Sequence, residues 1–215
     1  MFINLSFANG TYVNISSPVN LILHNGNTIN LGKDGPGQTF SISISAQTSA
    51  INGTVYSYGW NQFIAYNVPK NWIVENSSLN NKILTIEIKP SPYAKTGTYN
   101  FSLESINTGN YSKLGVLKFN ASIYITPKVY TINIKNKKIF SGINQPVKIQ
   151  ITINNSGVSD TPFIISSTGL PVLNGNISII SLHNSTQEFS YPVFATEPGI
   201  YNINLSIKSL SSPLI

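Results

Sequence analysis

The chain has 215 residues, 41% of them hydrophobic, enough to bury one or two cores without staples. Only 9% are charged, every one of the thirteen basic residues is Lys, and the net charge of +6 reflects seven scarce acids more than a basic patch. This argues against nucleic-acid recognition, which leans on Arg forks and clustered cations. The absence of Cys excludes disulfides, thiolate metal sites and Cys nucleophiles. No apolar run approaches the ~20 residues of a membrane helix, and Met1-Phe2-Ile3-Asn4 opens directly in an alternating pattern, without the basic region or core of a signal peptide.

Residues 1–16 place Ile3, Leu5, Phe7, Val13 and Ile15 on one parity and polar residues on the other, the period-2 signature of a half-buried strand. A two-residue hairpin at Asn9-Gly10 would set Leu5 opposite Asn14 and Ile3 opposite Ser16, mixing apolar and polar side chains on one face. One extended strand keeps a single apolar edge. It has two possible seats: its own first sandwich, or a sandwich of another copy.

Residues 17–126 read as the first β-sandwich. Alternating runs at Val19–Leu23, Phe40–Ala46, Ile51–Tyr58, Gln62–Val68, Ile83–Lys89, Gly97–Ile106 and Leu114–Thr126 are separated by turn signals such as Asn25-Gly26-Asn27 and Lys33-Asp34-Gly35-Pro36-Gly37. Thr126-Pro127 marks the boundary with almost no spacer. Residues 127–215 read as a second sandwich with strands at Val129–Lys135, Val147–Asn154, Pro162–Thr168, Asn176–Leu182, Gln187–Phe194 and Gly199–Lys208. That is six, one short of an immunoglobulin-like sandwich.

Two strands share a motif. Gly97-Thr98-Tyr99-Asn100-Phe101-Ser102-Leu103 and Gly199-Ile200-Tyr201-Asn202-Ile203-Asn204-Leu205 both follow Gly-x-Tyr-Asn-apolar-x-Leu, each after a strand and a Pro-containing connection. A repeat at about one domain length implies two copies of one kind of domain. Its parity turns Tyr99, Phe101 and Leu103, and likewise Tyr201, Ile203 and Leu205, toward a core.

Asn-x-Ser/Thr triplets occur at Asn4, Asn9, Asn14, Asn52, Asn76, Asn100, Asn110, Asn120, Asn154, Asn176, Asn184 and Asn204. Random placement of 28 Asn and 44 Ser plus Thr in 215 residues gives about six such triplets, half the number present. Strand alternation alone produces some of the excess, since positions i and i+2 share a face. The same alternation sets Asn100, Asn120 and Asn204 outward, where N-linked glycans can cover a surface poor in charge. Such a surface keeps its charge nearly constant as pH falls, which points to an acidic exterior.

Catalytic groups are sparse. His24 and His183 lie in different domains near Asn-rich turns, Glu87 and Glu104 fall on outward parity suited to cross-strand Lys pairs, and no nucleophile–base pair, metal-spaced cluster or phosphate loop is present in the pattern. The expectation is a non-enzyme without cofactor or metal. Trp60 and Trp72 flank the middle of the first domain as core or sheet-edge anchors.

The stretch Val68-Pro69-Lys70-Asn71-Trp72 to Gly97-Thr98-Tyr99 resembles the adhesion-related sandwich modules of archaeal and bacterial surface proteins, which implies a non-catalytic stalk or assembly module. In overall character, the chain is similar to the glycosylated thread-like surface filaments of thermoacidophilic archaea. That resemblance implies an extracellular homopolymer in which residues 1–16 of one copy complete the short second sandwich of the next by donor-strand complementation, carrying N-linked glycans and making no membrane span in this chain. Two alternatives stand beside it: a stalk of a larger adhesin, surface-layer protein or hydrolase, and a glycan-binding module using Trp60, Tyr58 or Trp72 as stacking surfaces.

Overall fold

The structure is a computed structural model that describes residues 11–49, 54–109, 114–135, 137–172 and 175–214, the side chains of 76–78 excepted. Seventeen strands are assigned and no α-helix occurs among the described residues. The chain divides into two compact units. The first comprises Met1–Gly32, Thr39–Pro90 and Thr98–Tyr124, and the second Lys33–Gln38, Ser91–Gly97 and Ile125–Ile215. The division falls close to the expected boundary at Thr126-Pro127, but two segments expected in the first sandwich belong to the second unit.

The first unit holds β1 (Val13–Ser17), β2 (Leu21–Leu23), β3 (Thr28–Asp34), β4 (Phe40–Ser45), β5 (Thr48–Ser49), β6 (Val55–Tyr56), β7 (Gln62–Tyr66), β8 (Ile73–Asn80), β9 (Ile83–Lys89), β10 (Gly97–Ile106) and β11 (Val116–Ile125), with the ends of β3, β10 and β11 running into the second. They form sheets of order β2-β1-β4-β9-β8 and β3-β11-β10-β7, beside a small β5-β6 ribbon. Alternation explains each strand. In β4, Phe40, Ile42 and Ile44 are buried, while the intervening serines face away and Ser43 meets Thr85 Oγ1 at 2.9 Å. Phe63 stacks on Phe119 at 6.2 Å within one sheet, and Phe40 meets Phe101 at 6.4 Å across the two sheets, closing them over one core. Each such fully buried side chain contributes roughly 1.5–3 kcal/mol.

Besides the two-residue β5, two strands escaped the sequence pattern. β3 carries Ile29 and Leu31 inward, but its turn-rich flanks mask it. It pairs with β11 in parallel: Gly26 N–H donates to Lys118 O, and Asn120 N–H to Asn27 O, so partners advance together along both strands. β8 lies at a sheet edge with an exposed Glu75 opposite Glu87, and its mixed polarity hides the alternation.

The second unit holds β12 (Tyr130–Ile134), β13 (Val147–Asn155), β14 (Thr161–Thr168), β15 (Ile177–Ser181), β16 (Ser185–Val193) and β17 (Asn204–Ser209), in sheets β12-β13-β16 and β15-β14-β17. Ile149, Ile151, Ile153, Phe163, Ile165, Tyr191 and Val193 form its core, with Tyr130 edge-on to Phe163 at 4.9 Å. Its six strands match the expected number. The segment Lys33–Gln38 joins this unit through Val158 N–H to Lys33 O and Thr126 N–H to Asp34 O. Gly37, at φ 71°, packs so closely that a Cβ would lie 2.2 Å from Ser211 O, so only glycine fits there.

Candidate functional site

The two units share the connectivity of five strands. In the first, β1-β4-β9 form one side and β7, β10 and β11 the other, with β10 flanked by β7 and β11. In the second, β12-β13-β16 repeat the first side, and β14 and β17 stand where β7 and β10 do. These are the A-B-E and C-F-G positions of an immunoglobulin-like sandwich. Among the described residues no strand stands in the position of β11, and β17 pairs on one flank only, with β14.

The repeated motif measures the effect of that gap. With β11 beside it, β10 buries Phe101 (3% exposed) and Leu103 (0%). The matching Ile203 and Leu205, with Ile207 beyond them, are only half-buried against the core of the second unit. The strand also begins later: β17 starts at Asn204, so Gly199-Ile200-Tyr201 lies outside it, and Ile200 is fully exposed. Half-buried apolar residues beside unpaired backbone donors and acceptors form an edge ready to accept another strand.

Tyr201 departs from its expected inward role. It is exposed, and its hydroxyl donates to Glu197 O at 3.0 Å, the tyrosine-corner arrangement at the start of the sixth strand. Tyr99 is half-buried and lies against Trp72, ring centroids 5.1 Å apart. Trp60 is fully buried and its Nε1 donates to Tyr12 O at 3.1 Å, so it is a core anchor and offers no stacking surface.

The expected donor residues separate into two groups. Ile3, Leu5 and Phe7 lie outside the described residues. Val13 and Ile15 do not belong with them: both are 0% exposed in β1, which pairs with β2 and β4, so they are core residues of the first unit. The physical reason is that alternation fixes which face of a strand is apolar but not which sheet it joins. Tyr12 O likewise accepts from Thr48 Oγ1 and Trp60 Nε1, so the chain belongs to the first unit from Tyr12 onward.

Of the acceptor asparagines, Asn100, Asn120, Asn154, Asn176, Asn184 and Asn204 are exposed. Asn14 is half-buried with its Oδ1 enclosed. Asn4, Asn9, Asn52 and Asn110 lie outside the described residues, as does the side chain of Asn76.

The charged groups support packing rather than chemistry. Glu104 takes Lys118 at 2.7 Å, as its outward position suggested. Glu87 lies in the other sheet from Glu104 and faces Glu75 instead. Both histidines are exposed, and His183 Nδ1 meets Asp160 Oδ1 at 2.6 Å. The exception is Asp34. Read as a turn residue, it is fully buried in the second unit, with Ser159 Oγ donating to its Oδ2 and its Oδ1 enclosed without a partner among the described residues. Burial pushes its pKa up to about 7, against the opposing pull of hydrogen bonds from Ser159 and Gly35. Close by, Gln38 Nε2 donates to the Tyr130 hydroxyl, which also meets Thr161 Oγ1; burial pushes Tyr130 up to about 12.

No protein-family model and no curated protein matches the chain. Among solved structures it is similar to the Yersinia pseudotuberculosis adhesin InvE (12% identity, TM-score 0.33, covering 94% of this chain and 56% of that one). It is also similar to a chimeric titin Z1Z2 (12%, 0.42, 94% and 97%) and to the D00-D0 domain of intimin (11%, 0.30, 94% and 94%). By its own sheet order and strand connectivity, the chain is all β, two immunoglobulin-like sandwiches in succession.

Proposed function

We propose that the chain is a non-catalytic, N-glycosylated structural subunit of an extracellular filament, in which residues 1–10 of one copy lie along β17 of the next. The observation that carries this is that Ile203, Leu205 and Ile207 are half-buried where the matching Phe101 and Leu103 of β10 are buried. Three alternating apolar residues, Ile3, Leu5 and Phe7, stand opposite a need for cover at Ile203, Leu205 and Ile207. Seven residues of extended chain span about 23 Å, enough to run the length of a six-residue strand. Ladder hydrogen bonds and three buried side chains supply several kcal/mol per joint. Donor and acceptor are different surfaces, so the contact is head-to-tail and propagates. The exposed acceptor asparagines and the scarcity of charge support an exterior, glycan-covered surface.

Removing residues 1–10 tests this. Thr11, Tyr12 and β1 remain, so both units keep their packing. By electron microscopy and sedimentation, the full chain is expected to form long threads and the truncated chain to remain monomeric. Threads from the truncated chain, or a truncated chain whose β17 is covered by a segment beyond residue 215 in a longer polypeptide, would overturn the proposal in favour of a stalk within a larger surface protein.

A further inference from the structure

The outer side of the β3-β11-β10-β7 sheet carries a hollow of about 360 Å³ that the assembly edge does not use. It lies wholly within the first unit. Thr28, Asn67, Asn100, Ser102 and Asn120 line it together with Phe101 and Ala121, so three carboxamides and two hydroxyls converge beside apolar surface, with no carboxylate or ammonium among them. Outward parity on adjacent strands brings the four strand residues together. Asn67 follows β7 in the left-handed region at φ 54°, which places an exposed amide at the margin. Tyr66, directly before it, pairs in register with Ser102, and the charged groups on this face neutralise one another, Lys118 meeting Glu104 at 2.7 Å and lying 5.9 Å from the Tyr66 ring centroid.

The chemistry selects among ligand classes. An anion needs cations and a metal ion needs carboxylates, and neither lines the hollow; a wholly apolar ligand would leave the five polar side chains without partners, whereas a sugar ring presents apolar C–H faces to Phe101 and Ala121 and hydroxyls to the amides. Carboxamides donate and accept at once, which matches vicinal hydroxyls, and a volume near the lower end of small-ligand pockets suits one or two sugar rings. We propose that this hollow is a seat for a neutral saccharide. The sugar has two possible sources, a glycan attached within the hollow or a separate saccharide. Asn120 favours attachment, because Ser102 Oγ donates to its Oδ1 at 3.3 Å and directs Nδ2, the atom that takes a glycan, the other way. Asn100 lies diagonally across the strand pair, too close for a second glycan to share the hollow. The inference does not depend on how copies are joined.

The test uses the full chain in two forms. Unglycosylated chain is probed by saturation-transfer NMR with glucose, mannose, N-acetylglucosamine and chitobiose. Glycosylated chain is mapped by glycopeptide mass spectrometry, and the trimming rate of any glycan on Asn120 by glycosidases is followed. Asn67→Gly, which tolerates the positive φ, combined with Thr28→Val removes two lining groups without disturbing the core. A separate saccharide is the source if free sugar receives saturation that the double variant lowers at least about fivefold. Attachment is the source if Asn120 carries a glycan that the double variant exposes to trimming at least about fivefold faster. The proposal fails if no probe receives transfer and the Asn120 glycan is either absent or trimmed at the same rate in both chains.

Discussion

At neutral pH, replacing Leu5 and Phe7 by Asp is expected to leave both units folded and abolish thread formation, whereas Ile15→Asp unfolds the first unit. The three residues share one parity in one stretch of sequence, so a purely local account predicts similar effects. The structure separates them: Ile15 is 0% exposed in β1, paired with Leu21 and Ile44. A carboxylate there has neither water nor a partner, and the cost exceeds about 4 kcal/mol. In the proposed assembly Leu5 and Phe7 would contribute at the joint, each by roughly 1.5–3 kcal/mol of apolar burial, and a charge would add a desolvation penalty. Together the two substitutions lower the association constant by a factor on the order of 10³ or more. Thermal unfolding of the monomer and sedimentation at matched concentration check the two halves of the prediction; threads from the Leu5/Phe7 variant would contradict it.

The second large effect lies in pH. In the folded chain, the Asp34 carboxyl keeps its proton up to about pH 7, against an ordinary value of 3.8 for a solvated one. Between these values the native state binds more protons than the unfolded state, so stability falls as pH rises from about 4 to about 7. Below and above that range this group adds no slope. A gap of about three pH units sets an upper limit of about 4 kcal/mol. The nearby Tyr130 hydroxyl, pushed up to about 12, stays neutral throughout. Asp160 works the other way: burial raises its pKa, but hydrogen bonds from His183 outweigh that and lower it, so it contributes stability that is lost as pH falls. Its side chain is 48% exposed, which keeps the effect small. Asp34→Asn keeps an acceptor for Ser159 and is expected to flatten the pH dependence while stabilising the second unit above pH 7. Urea midpoints from pH 3 to 8 decide; a wild-type midpoint that does not fall between pH 4 and 7, or a variant with the same slope, contradicts it.

Much of the architecture was legible in the residues themselves. Phe40-Ser-Ile-Ser-Ile alternates so plainly that β4 and its inward face could be read directly, and the duplicated Gly-x-Tyr-Asn strand identified equivalent positions in the two units. The six strands described in the second half were visible as a count. Outward asparagines were also legible, because parity alone sets Asn100, Asn120 and Asn204 on the solvent side. What was hidden depends on partners distant in sequence. β3 sits between turn signals and is recruited by pairing with β11, about ninety residues later. Tyr201 shares its motif with Tyr99, yet the second copy begins its strand five residues further on. Asp34 lies in a Gly- and Pro-rich turn of the kind that normally faces solvent, and nothing local signals that the second unit folds around it. Val13 and Ile15 have the pattern of a spare strand; only the sheet they join shows that they are not spare.

The most direct measurement is residue-resolved hydrogen exchange along Asn204–Ser209, comparing the chain lacking residues 1–10, alone and with a synthetic peptide of those ten residues. In the truncated chain alone, the β17 amides that face away from β14 are expected to exchange rapidly while those bonded to β14 stay protected. On adding the peptide, the fast set becomes protected and the strand edge closes. An edge already protected without the peptide, or a peptide that protects residues elsewhere and leaves β17 unchanged, would contradict the account.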